Sequence, residues 1–367
     1  MGRVWLGILI ALILSWAVTP QVKKLACRVG AMDLPGGRKI HQRPTARFGG
    51  LAIYAGFMGG LIMVQPSLSL PLSGLLLGGG LVLVLGIIDD RWGLNPWIKL
   101  LGQVAAALVL VLFNVRVEFL SNPFDGLLVL GEWAIPVTIL WIVGITNALN
   151  LIDGMDGLAG GTAAIAAITI AVVAWLKGQA EVAMLAMILA AGTLGFLRYN
   201  LHPAQIFLGD SGSMFLGFNL AALAAMGLTK SATIISLLVP VVILGMPILD
   251  TFLAIVRRLR AHRPVFQADK GHLHHRLLDL GLPYRRAVWV MYGLDLCLGI
   301  SAVMLVFMTT AQSVILLVVL AAAGVAGIDW LVSRGRKLAR SKQREGSRRG
   351  VQAGPPTVSR SSGQAKF

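Results

Sequence analysis

The sequence predicts an all-α polytopic integral membrane protein of about eleven transmembrane helices, and three observations predict it. Hydrophobic residues make up 56% of the 367-residue chain, only 13% are charged, and the mean hydropathy is +0.79, too apolar for an ordinary soluble domain. Windows long enough to cross about 30 Å of hydrocarbon as helices centre near Leu12, Gly56, Leu81, Leu108, Leu140, Ile168, Met187, Leu220, Val241, Gly299 and Val318. With the N-terminus outside and the C-terminus cytoplasmic, 28 of the 32 Lys and Arg lie inside, leaving Arg3, Arg116, Lys177 and Lys230 outside. That is a strong positive-inside signal. It also accounts for the net charge of +16 without nucleic acid as a partner. Two cysteines in dissimilar settings, Cys27 and Cys297, suggest neither a disulfide framework nor a metal cluster.

In chain order, the first apolar run, Val4 to Val18, resembles a signal peptide in length, but Lys23, Lys24 and Arg28 outweigh Arg3 and favour a retained helix. The next segment, 23–48, is a cytoplasmic loop. Its basic stretch from Arg38 to Arg47 satisfies the positive-inside rule, and Arg47, beside Gly49 and Gly50 at a helix start, is also placed to meet a phosphate. The third span ends in Asp89-Asp90. Two carboxylates at the negative end of a helix cannot be dipole complements, so something cationic should compensate them, with Arg91 and Lys99 at hand and a metal or proton-transfer role open. The cytoplasmic segment 89–99 follows.

Segment 147–157 holds the densest polar cluster. Asn147, Asn150, Asp153 and Asp156 recur every three residues and share roughly one face if helical. Their hard oxygens suit magnesium, which binds through one or two carboxylates plus substrate phosphates. Capping of a tight turn explains one of these acids but not four polar residues. The segment 198–210 runs into Phe207-Leu208-Gly209-Asp210-Ser211. There Asp210 and Ser211 either cap the next helix or join a phosphate site, and Phe207 offers a flat face to a base. The long basic segment 253–286 carries His272, His274, His275 and Arg276, with Lys270 close by. No tetrahedral zinc spacing is present, so an anion-facing role towards a diphosphate is the more natural reading. The domain is therefore read as 1–333, and 334–367 as a basic, disordered cytoplasmic tail that contacts anionic lipid.

All five clusters fall on the cytoplasmic face, in a topology fixed from Lys and Arg alone. An oxygen-rich, anion-binding site there should join a soluble phosphorylated substrate to a lipid phosphate. The alternative class, an ion-coupled secondary transporter, calls for inverted repeats and acids near the midplane. No repeat is visible, and only Asp295 looks deep in a span.

These residues resemble the polyprenyl-phosphate N-acetylhexosamine-1-phosphate transferases, the superfamily that includes phospho-N-acetylmuramoyl-pentapeptide transferase. The resemblance covers about residues 1–333 in five motifs taken in order: Phe48-Gly49-Gly50, Asp89-Asp90, 147–158, Gly209 to Ser213, and the histidine segment. His272-Leu273-His274-His275-Arg276 is similar to the form found in the undecaprenyl-phosphate N-acetylglucosamine-1-phosphate branch, whereas the muramoyl-pentapeptide enzymes carry three consecutive histidines. What the resemblance implies is transfer of GlcNAc-1-phosphate from UDP-GlcNAc to undecaprenyl phosphate, with release of UMP, in a bacterial-type plasma membrane. It implies dependence on magnesium, with manganese as a substitute, and a homodimer. By the matched positions Asp210 would be the principal metal ligand with Asn150 nearby, Phe207 and Asp153 would lie at the uridine, Asp89 would deprotonate or orient the lipid phosphate with support from Asp90, and the histidine segment would hold the sugar diphosphate. Gly93 stands where a third acid of the Asp-rich motif would be, so that acid's role does not carry over. Direct attack by the lipid phosphate is the preferred mechanism, and a two-step route through a covalent Asp89 intermediate is compatible. Another UDP-sugar is the nearest alternative donor.

Overall fold

The computed structural model describes residues 2–34, 44–122, 126–228, 238–262, 271–327 and 333–334. The chain is a helical bundle: α1 (Gly2–Val29), α2 (Gly49–Val64), α3 (Leu70–Trp92), α4 (Pro96–Leu112), α5 (Ala134–Ile152), α6 (Leu158–Leu176), α7 (Ala180–Asn200), α8 (Gly209–Leu228), α9 (Leu238–Ile243), α10 (Gly245–Arg260), α11 (Leu273–Asp279), α12 (Tyr284–Leu305) and α13 (Thr310–Gly327). Seven of these, α1, α3, α5 (with the turn before it), α6, α7, α12 and α13, are long and apolar enough to cross a membrane. Helices α2 and α4 are apolar but have 16 and 17 residues. At about 1.5 Å per residue they fall short of roughly 30 Å of hydrocarbon.

Each of the eleven sequence windows centres on a helix, but seven described helices rather than about eleven are long and apolar enough to span, and two further features depart from the expectation. The chain is not purely helical. Two short antiparallel pairs, β1 (Met32–Asp33) with β2 (Thr45–Ala46) and β3 (Phe119–Asn122) with β4 (Gly126–Val129), lie between helices. The window near Val241 also gives no single long helix, because α9 ends at Ile243 and α10 begins at Gly245. Pro247 has no N–H to give the Ile243 carbonyl, and such a residue breaks or kinks a helix. Residues 229–237 and the tail beyond Arg334 lie outside the described residues.

Helix α8 is the axis. Residues 211–226 are all buried, so it shows no polar face, and it packs against α2, α3, α5 and α6. Helices α1 and α7 flank α2, and α12 packs along α6. Trp5, Leu9, Ile13 and Trp16 of α1 face outward, as do Ile315 and Val318 of α13. Exposed apolar faces of this extent suit contact with lipid.

Candidate active site

Asp90 joins two helices. It lies in the last turn of α3, and there it accepts hydrogen bonds from the Asp210 N–H (2.9 Å), the Ser211 N–H (3.1 Å) and the Ser211 hydroxyl (2.7 Å). Its negative charge therefore serves the positive end of α8 rather than the negative end of its own helix. Such proximity needs the glycines around it. Gly209 has φ 73°, and a Cβ there would lie 2.5 Å from an Asp90 oxygen, while one at Gly86 would strike the Ser211 backbone.

Asp89, one residue earlier, accepts from the Leu94 N–H at 2.6 Å and pairs with Lys99. The same ammonium lies 3.1 Å from Asp210, so Lys99 bridges the two carboxylates. The cationic compensation that the sequence demanded is thus Lys99, joined by Arg47, whose guanidinium meets Asp33 and stands 3.9 Å from Asp90. Burial works against the Arg47 charge, but Asp33, Asp90 and Asp210 outweigh it and hold its pKa above the ordinary value. Arg91 instead lies over the Trp92 ring.

Asn150, at the end of α5, donates to Asp210 and, at 2.8 Å, to the Ser213 hydroxyl. Asp153 follows just past the helix end and is half-buried. Burial raises its pKa well above the carboxylate range, and the charges of Asp210 and Asp90 add to that against the opposing pull of Arg47.

The other sequence-selected residues take different positions. Asn147 forms a reciprocal amide pair with Gln103 of α4, at 2.6 and 3.3 Å. Asp156 accepts from the Ala204 N–H (3.1 Å) and meets His202 Nδ1 (2.7 Å), while its own N–H donates to the Tyr284 hydroxyl. Phe207 is fixed through its backbone, with its N–H donating to the Ala46 carbonyl at 2.8 Å.

In the histidine segment, His272 Nδ1 bonds Asp250 Oδ2 at 2.7 Å, and the other Asp250 oxygen caps α11 through the Leu273 N–H at 2.8 Å. His274 is 1% exposed, and neither of its ring nitrogens has a partner among the described residues. Burial, then the neighbouring His275 charge, pushes its pKa down to about 3. A Cβ on Gly154 would come 2.7 Å from His274 Nε2, which brings the histidine segment against the 147–158 cluster. His275 packs on the His274 ring (centroids 4.3 Å), and Arg276 Nε donates to the Gly271 carbonyl at 3.1 Å. Residues 35–43 and 263–270, with the remaining basic positions and Lys270, lie outside the described residues.

Sequence reasoning missed Asp250, Gln103 and the tyrosines of α12. The Tyr292 hydroxyl donates to the Gly157 carbonyl at 2.6 Å, and one oxygen of Asp295, the acid deep in a span, accepts from Thr162 at 2.6 Å, while its other oxygen has no hydrogen-bond partner among the described residues. A buried Asp in an apolar run was the available signal for Asp250. The tyrosines give no sequence signal.

No group of three or more His, Cys, Asp or Glu is gathered closely enough for a metal among the described residues. What is gathered is a pair of carboxylates already sharing one cation, Lys99, with the Asn150 amide on Asp210. Of this set only the carboxylate oxygens of Asp89 and Asp210 are hard donors of the kind magnesium takes beside substrate phosphates, and Lys99 pairs with both.

Comparison with known proteins follows the same lines. A model of glycosyl transferase family 4 matches residues 72–228, from α3 through α8. Over 87% of this chain and 90% of the relative, the sequence is 41% identical to a probable undecaprenyl-phosphate N-acetylglucosaminyl 1-phosphate transferase of Bacillus subtilis (strain 168). It is 38% identical, over 89% of each chain, to a decaprenyl-phosphate N-acetylglucosaminephosphotransferase of Mycobacterium tuberculosis (strain ATCC 25618 / H37Rv). It is 28% identical, over 72% of this chain and 74% of the relative, to an undecaprenyl-phosphate alpha-N-acetylglucosaminyl 1-phosphate transferase of Salmonella typhimurium.

Proposed function

We propose that this chain, which belongs to glycosyl transferase family 4, transfers N-acetylglucosamine 1-phosphate to a polyprenyl phosphate at the cytoplasmic surface of the plasma membrane. The acceptor in this reading is undecaprenyl phosphate, the donor is UDP-GlcNAc and the leaving group is UMP. The observation that carries it is the Asp89–Lys99–Asp210 bridge, with Asn150 on Asp210, at one end of the bundle. The relatives' names supply the sugar and the lipid class.

A lipid phosphate oxygen attacks the phosphorus that bears the sugar, and the bond from that phosphorus to the UMP oxygen breaks. Two polyanions must meet, so the principal task of the site is charge neutralisation and in-line alignment. Lys99 and Arg47 screen the approaching phosphates, and Asp90 fixes Asp210 by holding the first turn of α8. Asp210, with Asn150 nearby, would hold a magnesium ion, which when bound supplies Lewis-acid neutralisation of the diphosphate. In this reading Asp153 and Phe207 would take the nucleoside and the histidine segment the sugar diphosphate. Direct attack is favoured over a covalent Asp89 intermediate because Asp89 is held by the Leu94 N–H and Lys99, and a carboxylate engaged in this way is a poor nucleophile.

The test incubates purified protein with undecaprenyl phosphate, magnesium and sugar-labelled UDP-GlcNAc and follows label into the organic phase. Chelator-sensitive labelling of lipid is expected. Labelling only with another UDP-sugar would move the donor assignment, and no labelling with any would overturn the reading.

A further inference from the structure

The end of α1 borders a charged hollow that holds none of the residues assigned to the transfer reaction. Its volume is about 460 Å³, and Lys23, Lys24, Arg28, Tyr199, Gln205 and Ile206 line it. The positive-inside rule places cations at this end of a helix but does not hollow the surface beneath them. Lys24 and Arg28 are exposed and Lys23 half-buried, and none of the three has a hydrogen bond or ion pair among the described residues. The nearest carboxylate in sequence, Asp33, is engaged by Arg47 instead.

Depth identifies the anion. Helix α1 has 28 residues, roughly 42 Å at about 1.5 Å per residue, whereas the hydrocarbon core is about 30 Å thick. The basic residues Lys23, Lys24 and Arg28 on its last turns suit the level of the headgroups, and Leu25 on the same stretch is exposed. Ile206, which lines the hollow, pairs with Ala46, and the following residues 207–209 lead straight to Asp210. The acceptor's own phosphate must reach Asp89, Lys99 and Asp210, which are not part of this hollow.

We infer that the hollow at the cytoplasmic end of α1 binds the phosphodiester headgroup of an anionic membrane phospholipid, and that this lipid steadies the 205–209 segment that carries Asp210. The second half of the inference rests on the transferase reading; the first half does not.

The experiment uses the full chain in nanodiscs of zwitterionic lipid doped with phosphatidylglycerol, and counts retained phosphatidylglycerol by native mass spectrometry, without donor. The wild type is expected to retain at least threefold more than a Lys23→Gln/Lys24→Gln/Arg28→Gln variant, and a Lys23→Arg/Lys24→Arg variant is expected to match the wild type. Equal retention by wild type and Gln variant overturns the proposal, as does displacement of the lipid by equimolar polyprenyl phosphate or by inorganic phosphate, since the hollow would then belong to the acceptor or to free phosphate. If the Gln variant does not fold, these wild-type competitions decide. In a transfer assay, a rate that rises with phosphatidylglycerol in the wild type and stays flat in the Gln variant supports the coupling. Parallel responses overturn it, while the donor-free binding result stands whether or not the transferase reading does.

Discussion

Asp90 and Asp210 stand in one network but do different work, and substitution separates them. Asp90→Asn removes charge from the cap of α8, and a lost cap costs about 1 kcal/mol. The expected result is a lowered Tm with activity reduced in step. Asp210→Asn leaves that cap in place and should lower kcat by about 100-fold or more with little change in Tm, because it removes the carboxylate that would hold magnesium at the reacting diphosphate. His274 offers a test in pH. Its folded pKa is about 3 against 6.5 when unfolded, so between these values the unfolded chain binds the extra proton and stability falls as pH drops below 6.5. Thermal melts of His274→Gln should show a weaker acid dependence than the wild type. Asp89, Asp90, Asn150 and Asp210 were legible because polar groups stand out in an apolar sequence. The Asp250–His272 bond was not, since 22 residues separate its partners and only the fold joins them.

Among the elements, α12 braces the site without containing any residue assigned to chemistry. Tyr284 and Tyr292 hold the two ends of the turn at 156–157, and Met291 and Val288 pack with Met155, Leu158 and Leu277 of α11. The 153–157 turn and the histidine helix are therefore positioned by one rigid element. Tyr292→Phe keeps the ring and removes the bond to Gly157, at a cost of about 1 kcal/mol. Transfer should fall several-fold through misalignment, measured as kcat against a Tm reduced by only a few degrees. Hydropathy located these helices well because burial and lipid contact both select apolar residues. It did not foresee the break between α9 and α10, where Pro247 overrides a continuous apolar run, nor the strand pairs, each four residues or fewer per strand.

For the whole molecule, the orientation is inferred from charge, and the gathering of the acidic clusters at one end of the bundle has a separate origin. The positive-inside rule reads loops, whereas the site was assembled by packing α3, α4, α5 and α8. The free, exposed Cys27 beside Lys24 tests the orientation: a membrane-impermeant maleimide should label it in inverted vesicles and not in intact cells. Labelling in intact cells would reverse the topology. The central claim, that Asp89 and Asp210 share a cation at the reacting diphosphate, is tested most directly by transfer of labelled GlcNAc-1-phosphate to polyprenyl phosphate by purified Asp89→Asn and Asp210→Asn proteins. Each is predicted to lose nearly all transfer while melting like the wild type. Near-normal transfer by both would contradict the claim.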